Sequence, residues 1–239
     1  MLDQNLLAAG ARTLGLELSP AQLDQFTRYA DRLIEWNARF NLTTITQPRE
    51  IVIRHFLDSL SAARVLPAGL VSLIDVGAGA GFPGLPIKIA RPAVSLTLLE
   101  ATHKKCDFLQ AVVDELQLAD VLIVNARAEE AGRMSEHRAQ YDVAIARGVG
   151  EMQVLIEYLL PLVKIGGVAV AQKSREVVND VQRAEFAITT LGGRLDDIVS
   201  VSVPELNEAR YPVVIEKIAA TPEKYPRRAG MPSKKPLSL

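Results

Sequence analysis

The sequence predicts an α/β protein: a mostly parallel sheet with helices on both faces, behind an all-helical N-terminal segment and closed by an antiparallel strand pair. Three observations carry this. Five short apolar runs alternate with stretches of helical periodicity between residues 71 and 191, the pattern of buried parallel strands and their crossover helices. Before residue 67 there is no such run, and apolar side chains recur every three or four positions instead. The first apolar run ends in a glycine cluster, Gly77-Ala78-Gly79-Ala80-Gly81, the turn expected where a strand feeds a helix at a ligand-binding edge.

Leu7, Ala11 and Leu14 mark a first helix. Ser19-Pro20-Ala21-Gln22 opens a second: Ser19 can accept from the first turn, proline suits the first helical position, and Gln22 completes a capping box. Leu23, Phe26, Ala30 and Leu33 give it one apolar face, and it should end between Trp36 and Phe40. A third helix is expected over 50–65, stopped by Pro67. These helices form a cap over 1–67. Strands are expected at 71–76, 95–100, 121–125, 142–146 and 167–171, with helices over 85–90, 104–116, 129–135, 151–163 and 175–191. An antiparallel pair at 198–203 and 212–218 brings the sheet to seven strands. The α/β unit then covers 68–220, and a basic tail with four prolines covers 221–239.

The chain has 239 residues, 49% of them hydrophobic and 23% charged, which excludes a disordered or collagenous chain and provides for a core without staples. A single cysteine, Cys106, excludes an intrachain disulfide or a multi-cysteine zinc site, and a reducing cytoplasm fits. His55, His103 and His137 share no metal-ligand spacing with it, so no metal is expected; His103 and His137 read as surface residues. No apolar stretch approaches the ~20 residues of a membrane span, and no basic, apolar leader opens the chain. A monomer without membrane contact is expected. The net charge of −1 hides an asymmetry: residues 221–239 carry five bases and one acid, leaving the rest at −5. Such a tail suits a polyanion, or is simply a solvated end.

Asp75-Val76-Gly77-Ala78-Gly79-Ala80-Gly81-Phe82-Pro83-Gly84 is the sharpest motif. Its glycines permit a tight turn and close approach of a ligand. Glu100, 23 residues after Gly77 at the end of the next strand, can accept both hydroxyls of a ribose. NAD and S-adenosylmethionine share this arrangement. NAD prefers G-x-G-x-x-G, whereas this loop reads G-x-G-x-G and carries Asp75, which suits an ammonium and repels a pyrophosphate. S-adenosylmethionine is the favoured cofactor; a structural glycine turn without ligand is the plainer alternative.

At this point the chain resembles a known family, the ribosomal RNA small subunit methyltransferase G or glucose-inhibited division protein B family, over nearly its whole length. The resemblance rests on Trp36-Asn37 with Phe40-Asn41-Leu42-Thr43, on Arg54-His55-Phe56-Leu57-Asp58-Ser59-Leu60, and on the loop from Asp75 to Gly84. It continues through Arg127-Ala128-Glu129-Glu130, the strand Tyr141-Asp142 to Arg147, and Tyr225-Pro226-Arg227-Arg228-Ala229-Gly230. It implies a class I, Rossmann-like S-adenosylmethionine-dependent methyltransferase that methylates N7 of guanine 527 in bacterial 16S ribosomal RNA. It also implies that Gly77, Phe82, Ala128, Glu129 and Arg147 contact or line the cofactor pocket, beside Asp75, Gly79 and Glu100. Ala146 and Gly148 around Arg147, and Ser174 after Lys173, depart from the family's usual residues and bear on the shape of the base pocket.

Arg147 and Lys173 each end an apolar run at the edge where open α/β sheets bind ligands. With Arg54, His55 and the tail's Arg227, Arg228, Lys234 and Lys235 they are the candidate RNA contacts, although Tyr225 and Leu237 are apolar enough to dock the tail on the body instead. Asn37 and Asn41, four apart, are candidate polar pocket groups on one helix face. Guanine N7 bears a lone pair and no proton, so its methylation needs positioning rather than a general base, and no catalytic acid–base pair is expected. The substrate is 16S ribosomal RNA or a 30S assembly intermediate. The alternatives are an RNA-binding assembly factor on a methyltransferase scaffold, or a methyltransferase for another substrate.

Overall fold

A computed structural model describes every residue except Met1, Leu70, Val149, Arg175, Glu176 and Leu239. Helix α1 (Gln4–Thr13) is capped by Asp3, whose carboxylate accepts from the Leu6 N–H. Helix α2 (Pro20–Asn37) begins at Ser19 with the reciprocal Ser19–Gln22 capping box. The expected third helix is one continuous rod in four parts: α3 (Pro48–Ile51), a π-helical turn (Val52–Leu57), α4 (Asp58–Ser61) and a 3-10 turn (Ala62–Val65). The π turn carries Arg54 and His55, and such turns often re-aim side chains at functional sites.

Strand β1 (Ser72–Val76) leads through the glycine loop to α5 (Gly84–Ala90). Next come β2 (Ser95–Glu100), α6 (His103–Glu115), β3 (Val121–Asn125), α7 (Ala128–Ala131) and β4 (Tyr141–Arg147). The chain continues with α8 (Met152–Leu159), β5 (Val163–Lys173), α9 (Val177–Thr190), β6 (Gly193–Ile198) and β7 (Tyr211–Lys217), and ends in a short α10 (Met231–Lys234). The start expected for the α9 helix, at 175, lies outside the described residues. The sheet runs β3-β2-β1-β4-β5-β7-β6, parallel from β3 to β5, with β7 antiparallel to both of its neighbours, β5 and β6. The order reverses at β1, so the loops after β1 and β4 diverge and leave a crevice at the carboxyl edge.

Successive residues of each central strand feed opposite cores. Leu73, Leu98, Val143 and Ile145 join the cluster that holds Phe26, Tyr29 and Phe56 of the cap. Ile74, Leu99, Ala144 and Ala146 join the cluster built with α8 and α9. One face of the sheet is therefore covered by the N-terminal helices themselves.

Three expectations are corrected. The penultimate strand lies at 193–198, not at the apolar stretch 198–203, of which Ile198 closes the strand, the Val199 N–H donates to the Pro212 carbonyl and Val201 makes one bridge to Arg210. As an edge strand it carries Arg194, Asp196 and Asp197, charges that guard an open edge and hide the strand pattern. His137 is buried, its Nδ1 2.7 Å from the Tyr141 hydroxyl. Asn37 and Asn41 share no helix face, because α2 stops at Asn37.

Candidate functional site

The glycine loop turns in the left-handed region at Gly77, Gly79 and Gly81, with φ of 73°, 60° and 91°. At Gly81 a Cβ would also lie 2.7 Å from the Tyr29 hydroxyl, which donates to the Ala80 carbonyl. The cap thus grips the loop from below. Phe82 extends that grip: its ring stacks on His55 at 4.3 Å and on Tyr29 at 5.5 Å, with the Arg147 guanidinium 5.0 Å from its centroid.

Two clefts open on either side of this loop. The first, of about 180 Å³, is lined by Gly77, Glu100, Ala126, Arg127, Ala128, Glu129 and Tyr158, among others. Glu100 is fixed there by the Gly79 N–H on Oε2 at 2.9 Å and the Thr102 N–H on Oε1 at 2.8 Å. Each oxygen keeps a second lone pair for a hydroxyl. Glu129 is buried, its Oε1 accepting from the Gly230 N–H at 2.8 Å and the Tyr158 hydroxyl at 3.3 Å.

Asp75 lies under the loop rather than in the cleft wall. It is fully buried; Oδ2 accepts from the Gly84 N–H at 2.8 Å and Oδ1 has no partner. Burial pushes its carboxyl up to about 7, against the Gly84 N–H and Arg147, which favour the charged form, and with Glu100, which opposes it. The orphaned Asp75 oxygen beneath the loop is an unused hydrogen-bond acceptor, and in the wall Glu100 and Glu129 outnumber Arg127. That lining fits the ammonium and sulfonium of S-adenosylmethionine and resists a pyrophosphate.

The second cleft, of about 260 Å³, is lined by Arg54, His55, Asp58, Arg147, Gly148, Gln172, Lys173, Ser174 and Arg210. Asp58, which sequence reasoning left unassigned, organises it. Its Oδ2 accepts from Arg147 at 2.8 Å and its Oδ1 from Arg210 at 2.5 Å, while Gln172 Nε2 donates to its backbone carbonyl at 2.6 Å. All four side chains are held nearly out of water, the conditions under which charged hydrogen bonds are directional. Arg147 also lies 3.3 Å from His55 Nδ1. A guanidinium only donates, so Nδ1 accepts and Nε2 carries the proton, given to Thr43 Oγ1 at 2.8 Å. Burial first, and Arg147 second, lower the His55 pKa to about 3, so the ring is neutral. Asn37 Oδ1 accepts from the Leu42 and Thr43 N–H groups and so positions the loop that holds His55.

Arg147 therefore stands at the second cleft, and neither it nor Phe82, both expected at the cofactor pocket, is in the wall of the first. Lys173 is tethered, to the Gly150 carbonyl at 3.1 Å and to Asp180 at 3.4 Å. Arg54 is exposed and paired with Glu50. The missed residues are Asp58, Gln172, Arg210 and Tyr158. Arg210 was findable: it precedes the apolar run Tyr211 to Ile215, the same abrupt charge that flags Arg147. Because β7 is antiparallel, its start lies at the edge where the parallel strands end, with Lys173 opposite Tyr211.

The tail is a docked strap. Tyr225 and Leu237 belong to the second core cluster. Arg227 does not reach outward: its backbone N–H and guanidinium hold the fully buried Glu157, at 2.6–3.1 Å. Arg228, Lys234 and Lys235 remain exposed.

Known proteins agree with this architecture. The sequence pattern of the family described as rRNA small subunit methyltransferase G matches residues 22–208. A protein called ribosomal RNA small subunit methyltransferase G from Roseiflexus castenholzii is 49% identical over 95% of this chain and 97% of its own. One of the same description from Alkaliphilus metalliredigens is 44% identical over 99% of this chain and its entire length. Among solved structures, a SAM-dependent O-methyltransferase from Thermotoga maritima superposes with a TM-score of 0.52 at 16% identity, covering 80% of this chain and 73% of that one, a likeness of fold alone.

Proposed function

The chain belongs to the rRNA small subunit methyltransferase G family, and we propose that it transfers a methyl group from S-adenosylmethionine to N7 of a guanine, guanine 527, in 16S ribosomal RNA. The observation that carries this reading is the pair of clefts flanking one glycine loop, one walled by Glu100 and Glu129 and the other by Arg54, Arg147, Lys173 and Arg210, with Phe82 of the loop packed on His55 and Arg147 of the second. S-adenosylmethionine, when bound, supplies an electrophilic methyl on a positively charged sulfur.

This chain's residues then have a task of placement. Glu100 accepts hydroxyl hydrogen bonds without moving, because two backbone N–H groups already fix it. The second cleft presents four cations against one carboxylate, which favours a nucleotide's phosphate and the O6 edge of guanine. Asp58 orders Arg147 and Arg210 before substrate arrives, so little side-chain freedom is lost on binding. His55, neutral and hydrogen-bonded at both nitrogens, holds the Phe82 face rather than moving a proton. N7 has no proton to lose, so the transfer asks these residues for placement rather than for a base. The guanine must leave its stack to reach the crevice, and the exposed Arg228, Lys234 and Lys235 are the phosphate contacts the strap has available.

Isotope-labelled methyl transfer from S-adenosylmethionine to naked 16S RNA, to assembly intermediates and to 30S subunits tests the reading, with the methylated position mapped by cleavage at N7-methylguanine. Incorporation confined to one guanine N7 is expected. Absence of transfer to all three substrates, or transfer to another atom, refutes it.

A further inference from the structure

We propose that the C-terminal strap is a positioning element of the first cleft, acting through Arg227 and the Gly230 N–H on Tyr158 and Glu129; the inference rests on the reading that this cleft takes S-adenosylmethionine. The strap meets the cleft wall from outside at both of its halves. Glu157 and Tyr158 are neighbours on α8. Glu157 is fully buried and its carboxylate is closed by Arg227 through one backbone and three side-chain contacts. Tyr158, the next residue, lines the cleft and shares its hydroxyl between Glu129 and Ser233 of the strap at 3.3 and 3.2 Å. Glu129, which lines the same cleft, takes the Gly230 N–H at 2.8 Å. Gly230 has φ of 79° and leads into α10, a geometry that aims its N–H at the carboxylate.

The rest of the strap fixes the segment that carries Ala128 and Glu129. Arg133 donates to the Pro226 carbonyl at 2.8 Å, Arg138 donates to the Tyr225 and Thr221 carbonyls at 2.8 Å, and a Cβ on Gly132 would lie 2.9 Å from Pro226. Glu129 has no other partner that would fix its rotamer toward the cleft among the described hydrogen bonds. Unpinning Arg227 frees Tyr158 and Glu129 together, and neither is then pre-arranged for a ligand.

Calorimetry of the full chain with S-adenosylhomocysteine tests this, with melting temperature measured on the same samples. The variants are Arg227→Met; Arg227→Met with Glu157→Leu, which leaves no orphaned carboxylate; and Leu237→Ala, which loosens the strap's end away from the cleft. Both Arg227 variants should bind at least tenfold more weakly, whereas Leu237→Ala should lower the melting temperature and keep wild-type affinity within twofold. On a Glu129→Ala background, Arg227→Met should add less than a threefold loss. Wild-type affinity in the folded double variant overturns the proposal, as does equal weakening by Leu237→Ala at equal loss of melting temperature. A wild-type chain that binds no S-adenosylhomocysteine defeats the cofactor reading instead, and the two failures are thereby distinct.

Discussion

Replacing Asp75 by Asn should change how stability depends on pH, because Asp75 is an acid kept protonated by burial. Its carboxyl moves from an ordinary 3.8 to about 7 in the folded chain. A raised acid binds its proton in the native state where the unfolded state has lost it, so stability is full below about 4, falls as pH rises, and levels off above about 7. The slope is about 1.4 kcal/mol per pH unit, and the whole span is worth about 4 kcal/mol. His55 acts in the opposite direction: lowered from 6.5 to about 3, it adds stability as pH rises through that interval. In the wild type the two slopes oppose each other between about 4 and 6.5. Asp75→Asn retains an acceptor for the Gly84 N–H and removes one of them. The wild-type stability minus that of the variant should fall by about 2 kcal/mol between pH 5 and 7, roughly 4–8 °C in melting temperature, and be nearly flat above 8. Thermal melts of both proteins in matched buffers at half-unit intervals provide the curve. Two curves that stay parallel from pH 5 to 8 would show that Asp75 is ionised in the folded chain and that the burial argument is wrong.

Glu100→Gln keeps one carbonyl acceptor and should weaken S-adenosylmethionine by ten- to a hundredfold, about 1.5–3 kcal/mol, with RNA affinity unchanged in a filter-binding assay; equal loss for both ligands would contradict the cleft assignment. Gly77→Val places a branched side chain at a φ of 73°, so calorimetry should show no cofactor binding while far-UV circular dichroism stays native at a stability cost of about 1–2 kcal/mol. Lys217, whose Nζ donates to the Leu160 and Leu191 carbonyls and to Thr221 Oγ1, is lowered by burial to about 7 from 10.5. A lowered cation adds stability as pH rises through that interval, so the wild type should gain on Lys217→Met between pH 7 and 10, and melting curves that keep a constant offset there would refute it.

The sheet and the glycine loop were legible because their signals are local. Buried parallel strands are apolar throughout, and three glycines beside an acid at a strand end leave few physical readings. The charged edge strand β6 was not legible, since Arg194, Asp196 and Asp197 erase the alternation that marks a strand. Arg147 was visible as a charge after an apolar run, but its partner Asp58 was not, being one acid on a helical rod whose partners come from β4, β5 and the approach to β7. His55 reads the same in sequence whether it faces RNA or a ring; only the stack on Phe82 and the bonds to Thr43 and Arg147 give it a neutral, structural character. The tail's charge and its apolar anchors Tyr225 and Leu237 were legible, and Arg228, Lys234 and Lys235 are exposed as an RNA contact requires, but the inward turn of Arg227 was not legible. Arg227 is drawn inward by Glu157, a fully buried acid on a mostly apolar helix.

The reversed direction of β7 has a consequence for when the protein becomes competent. Arg210 stands at the entrance of that strand, and it completes a cleft whose other residues come from positions 54–58, 147–148 and 172–174. While the chain is still being synthesised, β1 to β5 can pair, yet Asp58 then holds a single arginine and the basic cleft is one wall short. The acidic cleft waits longer still, for Gly230. Both clefts are therefore finished by segments that follow the parallel sheet in sequence, the basic one by Arg210 and the acidic one by Gly230, so neither is complete until those segments have docked.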